Sequence, residues 1–179
     1  MHDRGFTIIE LVMVIIVVSI LAAVAVPQFA RYYDGIKVRN AAVKIASDIR
    51  YAQNFATTTQ QRSRVNFLTA TTYEITFCNG AAAYNNTPSV CNCTTTWNLA
   101  TNPYSRGNFQ ENLNSFPGVA FTTMVNNCIE FDSLGRPYLN TTCNTATSCN
   151  SSAGATVTVQ SGAQTANITV QIQTGMISY

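Results

Sequence analysis

The hydrophobic pattern divides the chain into a long apolar start, an amphipathic middle and an alternating end. Only a few polar side chains interrupt residues 6–30: Thr7, Glu10, Ser19 and Gln28. The run is longer than the roughly 20 residues that a membrane-spanning helix needs. We therefore predict a transmembrane or filament-core helix over residues 6–30.

Beyond this run, apolar residues recur every three or four positions, which indicates an amphipathic helix. They are Phe29, Tyr33, Ile36, Val43, Ala46, Ile49, Ala52 and Ala56. Together the two segments predict one helix over about residues 6–56, roughly 75 Å long at 1.5 Å per residue. Pro27 should loosen it, because proline has no N–H to donate. We expect the stem, residues 31–61, to pack a folded head on its apolar face.

From residue 62 onward the period changes to two, which is typical of strands. The alternating sets are Tyr73, Ile75 and Phe77, then Val157 and Val159, then Ile168, Val170 and Ile172. Shorter strands are predicted at 65–68, 119–123, 128–131 and 176–178. The Asn- and Thr-rich stretch 79–117 predicts a long loop or small insertion. A helix followed by an antiparallel sheet predicts an α+β fold, with a β-rich head over residues 62–179.

Charge is sparse and unevenly distributed. Only 10% of residues are charged, well below the usual quarter, which favours an extracellular surface. Seven basic residues lie between positions 31 and 64, against only Asp34 and Asp48. From residue 65 the basic residues are Arg106 and Arg136, and the acidic ones outnumber them. The chain thus has a basic stem and a slightly acidic head.

All the cysteines lie in the head: Cys78, Cys91, Cys93, Cys128, Cys143 and Cys149. An even set in a polar, loop-rich region predicts disulfides in an oxidising compartment. A metal site is the weaker interpretation, because the one histidine is His2 and there is no C-x-x-C pair. Cys91 and Cys93 are poorly placed to bond each other. The pairing we favour is Cys143 with Cys149, which closes a short polar loop.

Three interpretations of the apolar run compete. A cleaved secretory signal would have a shorter apolar core of about 7–15 residues, although "AVA" at 23–25 offers a cleavage site. A simple membrane anchor explains the length but not Glu10, because a charge near the bilayer centre costs about 2.5–3.5 kcal/mol. The third interpretation accounts for the length and for the glutamate.

The residues "RGFTIIELVMVIIVVSILAAVAVP" resemble the N-terminus of the type IV pilin family, which includes the pseudopilins of type II secretion. The resemblance implies that a prepilin peptidase removes the leader, residues 1–5, by cutting after Gly5. Phe6 would become the N-methylated first residue, and Pro27 matches the family's helix proline. Glu10 would pair with the free amine of Phe6 on a neighbouring subunit, fixing the register between apolar helices.

The resemblance also implies location and partners. The chain would cross the inner, cytoplasmic membrane once, with its head outside the cytoplasm, and would join other pilin or pseudopilin subunits in a periplasmic or extracellular filament. The basic residues after the span favour the opposite orientation, but the cysteines and the leader outweigh them. "AAVKIASDIRYAQNFA", "GVAFTTMVNNCIEFDSLGRPY" and "ANITVQIQTGMI" resemble the H-type (GspH) minor pseudopilins and FimT-like minor pilins.

Catalytic patterns are absent from the sequence, so a structural, non-enzymatic protein without cofactor or metal is expected. Glu130 and Asp132 could hold Ca²⁺, although an exposed strand face explains them equally well. A DNA-binding minor pilin for uptake is an alternative, since some FimT-like members are thought to use arginines near the C-terminus. No basic residue follows Arg136, so nucleic acid is not an expected partner. A surface adhesin acting through the 79–117 insertion is a further alternative.

Overall fold

The structure, a computed structural model, describes residues 7–79, 96–124, 127–140, 155–171 and 175–179. One long helix, α1, precedes a series of strands that are all antiparallel to their neighbours. The elements are α1 (Ile8–Thr59), β1 (Ser63–Phe67), β2 (Thr72–Asn79), β3 (Thr96–Leu99), β4 (Gln110–Asn112), β5 (Ala120–Phe121), β6 (Cys128–Phe131), β7 (Pro137–Asn140), β8 (Ala155–Ser161), β9 (Gln164–Val170) and β10 (Ile177–Ser178). The predicted α+β class is confirmed.

Local hydrogen bonds set both ends of α1. Thr7 is the N-cap, and its Oγ1 accepts a bond from the backbone N–H of Glu10 at 3.3 Å. The chain leaves the helix at Gln60, which has a left-handed φ of 56°. The helix ends three residues beyond the predicted position, and the hydroxyls of Thr57 and Thr59 in its last turn donate to carbonyls of the preceding turn.

Two sheets pack around the upper half of α1. The first is six-stranded in the order β3-β2-β1-β6-β7, with β4 also paired to β2, and the second is four-stranded in the order β10-β9-β8-β5. Strands of both sheets contact the helix. The predicted alternation holds, since Tyr73 and Ile75 are buried and face this core. The head therefore encloses one side of α1.

Small residues on α1 let the sheets approach closely. The buried helix positions are Val38, Ala41, Ala42, Ile45, Ala46, Ile49, Ala52 and Ala56. Ser63 at the start of β1 donates its hydroxyl to the carbonyl of Ala52 at 2.6 Å. Opposite the helix, the rings of Phe67 and Tyr73 meet Phe121 edge-on at 5.1 and 5.9 Å. These edge-to-face ring contacts belong to the same buried core as the helix residues.

The described part of the 79–117 insertion, from residue 96, extends the edge of the first sheet. Strands β3 and β4 both pair with β2. Phe109 and Leu113 are buried, and the Phe109 ring stacks on Tyr51 of α1 at 5.3 Å. These apolar anchors explain why a polar stretch forms strands here. Residues 80–95 lie outside the described part of the chain.

Candidate assembly site

The lower half of α1 exposes its apolar side chains. From residue 7 to residue 33 the helix has no buried position, and the exposure of its large apolar side chains reaches 85% at Ile8. The first buried position is Val38. Among the described residues, α1 is the one helix long and apolar enough to cross a membrane. Burial therefore begins at Val38 on a helix that runs without a break from the apolar run into the stem.

Water is a poor environment for such a surface. Burying one large apolar side chain contributes about 1.5–3 kcal/mol. For the apolar side chains between Ile8 and Val26, this amounts to a total on the order of 20 kcal/mol or more. Exposed apolar surface of this extent marks a membrane or protein interaction site. Lipid or other apolar helices must cover this half of α1.

Glu10 lies in the first turn of α1, surrounded by exposed apolar residues. Thr7 and Glu10 have the T-x-x-E spacing of a capping box, in which both residues satisfy free N–H groups of the first turn. A carboxylate there also interacts favourably with the helix dipole. Sequence reasoning missed this local role of Thr7, although the spacing was visible. Gly5 and Phe6, the predicted processing residues, lie outside the described residues.

Pro27 lies inside α1, and the helix continues through it. Because proline has no N–H, the carbonyl of Ala23 has no backbone donor at position 27, where the helical hydrogen bond would otherwise form. Ser19, one turn earlier, bonds its hydroxyl back to the carbonyl of Ile15 at 2.7 Å. The helix therefore lacks one backbone hydrogen bond just below the point where the stem meets the head.

A buried polar network joins the stem to the head. The carboxylate of Asp48 accepts a 2.5 Å bond from the Tyr73 hydroxyl and a 2.9 Å bond from Lys44 Nζ. Lys44 also pairs with Glu111 on β4 at 2.9 Å. The side chain of Asp48 is 5% exposed. We call these four residues the latch, because they connect α1 to β2 and β4 through charged hydrogen bonds.

The surroundings of the latch shift two pKa values. Burial, followed by the nearby Asp48 carboxylate, raises the pKa of Tyr73 far above its usual value. For Lys44, burial lowers the pKa, but hydrogen bonds and charges from Asp48 and Glu111 outweigh it and raise the pKa overall. Both groups therefore hold their protons at every physiological pH.

Further bonds fix the head along the stem. Arg50 donates to the carbonyl of Ile177 at 2.7 Å, and its guanidinium lies over the Tyr179 ring at 5.6 Å. Gln53 donates to the carbonyl of Gly135 at 2.9 Å. These contacts come from both sheets, so each sheet is held to the stem by at least one hydrogen bond.

The face of the first sheet that points away from α1 holds a buried ion pair. Glu130 is fully buried and accepts two bonds from Arg64, at 2.9 and 2.6 Å. The Arg64 guanidinium lies 3.8 Å from the centre of the Trp97 ring. Asp132 accepts bonds from Arg136 and Tyr138 at 2.6 and 3.1 Å.

The sequence left two interpretations of Glu130 and Asp132, a Ca²⁺ site and an exposed strand face, and the structure bears on both. An exposed strand face is wrong, because arginine pairing lets Glu130 be buried completely. Both carboxylates are already occupied by arginines, and the described residues contain no cluster of three or more metal-ligating groups. The arrangement therefore supports a structural role for this pair of carboxylates.

Cys78 and Cys128 are disulfide-bonded. Cys78 lies opposite Arg62 and Cys128 opposite Asn66, on the two strands that flank β1. This register separates them by about 13 Å along β1 and about 10 Å across it. A disulfide requires Cα atoms within about 7 Å, so these two are not bonded to each other. Cys91, Cys93, Cys143 and Cys149 lie outside the described residues, and their pairing stays a prediction.

Comparison with known proteins bears on the helix most directly. Residues 1–26 match the prokaryotic N-terminal methylation motif. The chain is also 34% identical over 66 residues to competence protein ComGD of Bacillus subtilis. That similarity covers 37% of this chain and 46% of ComGD, so it spans less than half of the relative. No solved structure matches the chain.

The motif covers the segment in which Gly5, Phe6 and Glu10 were predicted to act, and it ends one residue before Pro27. The chain therefore carries a pilin-like methylation motif at the start of an exposed apolar helix, followed by an α+β head. The site therefore consists of an apolar helix surface with one carboxylate, that of Glu10, near its end.

Proposed function

We propose that this protein is a structural, non-enzymatic subunit of a type IV pilus-like filament or a type II secretion pseudopilus. The observation that carries the proposal is the lower half of α1, exposed on every side and beginning with the methylation motif. In the membrane, lipid covers this surface. In the filament, the helices of other pilin-like subunits replace the lipid.

Processing precedes assembly in this proposal. A prepilin peptidase on the cytoplasmic side of the inner membrane removes residues 1–5, and Phe6 becomes the N-methylated terminus. The head stays outside the cytoplasm, where all six cysteines form disulfides. The resemblance of three head and stem segments to H-type minor pseudopilins and FimT-like minor pilins supports a minor rather than a major subunit.

Glu10 has a specific part in assembly. Its carboxylate pairs with the cationic amine of Phe6 on the neighbouring subunit, inside a bundle of low dielectric. Removing one partner from a buried pair costs about 3–5 kcal/mol, which weakens association by a factor on the order of 100 or more. The same removal makes membrane insertion easier, because one charge leaves the span. Assembly and insertion should therefore respond to the change in opposite directions.

Three variants separate this role from helix capping. Glu10→Val removes the charge and the glutamate side chain of the capping box but leaves the Thr7 N-cap, and Glu10→Gln removes the charge but keeps a side chain that suits the capping box. Thr7→Val removes the N-cap and keeps the charge. Both Glu10 variants should reach the membrane and be cleaved, yet be depleted from sheared filaments relative to the membrane pool. Thr7→Val should still assemble. Normal incorporation of Glu10→Gln would contradict the pairing.

A filament that serves competence is the second candidate, because the similarity to competence protein ComGD includes 37% of this chain. Direct DNA binding by the described head is less well supported. Of its four arginines, three form ion pairs with Glu130 or Asp132, namely Arg62, Arg64 and Arg136, and only Arg106 is exposed outside the ion pairs of the described residues. In a low-salt electrophoretic shift assay we expect no tight binding of DNA by the purified protein. Salt-sensitive binding would favour the DNA-uptake alternative.

A further inference from the structure

Two cations lie just beyond the apolar span and have no carboxylate partner among the described residues. Arg31 and Arg39 are exposed and take part in none of the ion pairs of the described chain. Lys37, between them, is different because it pairs with Asp34 at 3.1 Å. The fold thus neutralises one cation of this segment and leaves two available.

Arg31 and Arg39 line the same groove. Its floor includes Phe29, Tyr32 and Ile36 on the same face of α1, and Gln164 at the start of β9 borders it. Phe29 and Tyr32 are 64% and 68% exposed. The groove therefore combines exposed aromatic rings with two guanidinium groups, a composition typical of membrane–water interfaces.

The lower end of the groove, next to the apolar run, lies at the depth expected for lipid headgroups. Residues 31–39 rise about 12 Å along the helix, starting where the apolar run ends. The headgroup layer is about 5–8 Å thick on each side of the hydrocarbon core. The β8–β9 hairpin reaches this level, since Ser161 Oγ bonds Asp34 Oδ1 at 3.3 Å. If residues 6–30 span the membrane, as the proposed function requires, the groove faces the headgroups.

We propose that this groove binds the headgroup of an anionic phospholipid in the leaflet next to the head. Arg31 and Arg39 bind the phosphate through guanidinium hydrogen bonds, which match phosphate geometry. Phe29, Tyr32 and Ile36 pack against the glycerol and upper acyl region. A phospholipid fits because the apolar floor continues into the apolar span. The site also explains why basic residues follow the span on the side of the head.

The test measures lipid preference by native mass spectrometry of the full chain released from detergent in the presence of equal phosphatidylglycerol and phosphatidylcholine. The wild-type chain should retain phosphatidylglycerol preferentially. Each arginine near an anionic surface contributes about fivefold, or about 1 kcal/mol. The double variant Arg31→Gln with Arg39→Gln should therefore lower the preference by up to roughly 30-fold. Replacing both arginines with lysine should restore only part of it, because lysine keeps the charge but lacks the forked guanidinium hydrogen bonds.

A charge-matched control is Lys37→Gln with Arg106→Gln, which removes one already paired cation and one distant one. It should leave the preference unchanged, and Trp97 fluorescence should be the same in every variant. An unchanged preference in the arginine variant, or an equal loss in the control, would overturn the proposal. So would competition by free glycerol phosphate, because the site would then not require a lipid. Release of the wild-type chain from membranes by carbonate would refute both this site and the proposed membrane insertion.

Discussion

Asp48→Ala is the change that most directly tests how the head is held on the stem. It removes the carboxylate at the centre of the latch and leaves the hydroxyl of Tyr73, a residue that is 1% exposed, without its acceptor. Lys44 keeps Glu111 as a partner at 2.9 Å. The loss is therefore concentrated on the Tyr73 bond.

The magnitude follows from burial. A hydrogen bond to a charged group contributes about 1.5–3 kcal/mol when buried. The Lys44–Asp48 pair adds 1 kcal/mol or less, roughly, because the Lys44 side chain is 34% exposed. We expect Asp48→Ala to lower the free energy of unfolding by about 2–4 kcal/mol. When Asp48→Ala is introduced into the Tyr73→Phe variant, the further loss of unfolding free energy should be smaller, because the bond between the two side chains is already absent.

The assay is urea unfolding of the full chain in detergent, followed by fluorescence of Trp97, the one tryptophan of the chain. The matched control is Asp34→Ala, which breaks an aspartate–lysine pair on the same helix whose side chains are 31% and 36% exposed, together with a 3.3 Å bond from the Ser161 hydroxyl. It should cost no more than about 1 kcal/mol. Equal losses in the two variants, or a loss below about 1 kcal/mol for Asp48→Ala, would refute the argument from burial.

Two further predictions concern pH and the cysteines. The pKa values of Tyr73 and Lys44 are higher in the folded than in the unfolded chain, so their contribution to stability is complete below about pH 10 and is lost as the pH rises further. The free energy of unfolding should therefore fall above that pH, and Tyr73→Phe should delay the fall. Non-reducing peptide mapping should show Cys78 and Cys128 in linked peptides but never linked to each other, and a Cys78–Cys128 peptide would contradict the strand register.

The sequence predicted the elements well where one physical signal dominates. The change of hydrophobic period near residue 62 separates helix from strand because helices and strands bury residues at different intervals. Pairs such as Val157 and Val159 identify a strand by alternation alone, and both are buried in β8. The first half of α1 was equally clear, because an apolar run of that length predicts one long helix, and α1 begins at Ile8 with its apolar side chains exposed.

Features that depend on pairing across the fold were not predictable. Asp48 and Tyr73 are 25 positions apart, and no local pattern indicates that they meet. Glu130 looked like a solvent-facing strand residue, because sequence alternation does not show which partner the opposite strand supplies. Arg64, directly across from it in β1, reverses the expectation by neutralising its charge. Thr7 is different, since its capping role was visible in the local spacing.

Intact-mass analysis of the protein purified from membranes of a host with a prepilin peptidase tests the central claim most directly. We predict a chain that starts at Phe6, carries one added methyl group and lacks residues 1–5. Gly5→Val should block cleavage and leave the leader attached, because the peptidase requires a small residue there under this proposal. A mass corresponding to a start at Val26 would instead show ordinary signal cleavage, remove the helix surface on which assembly depends, and contradict the account.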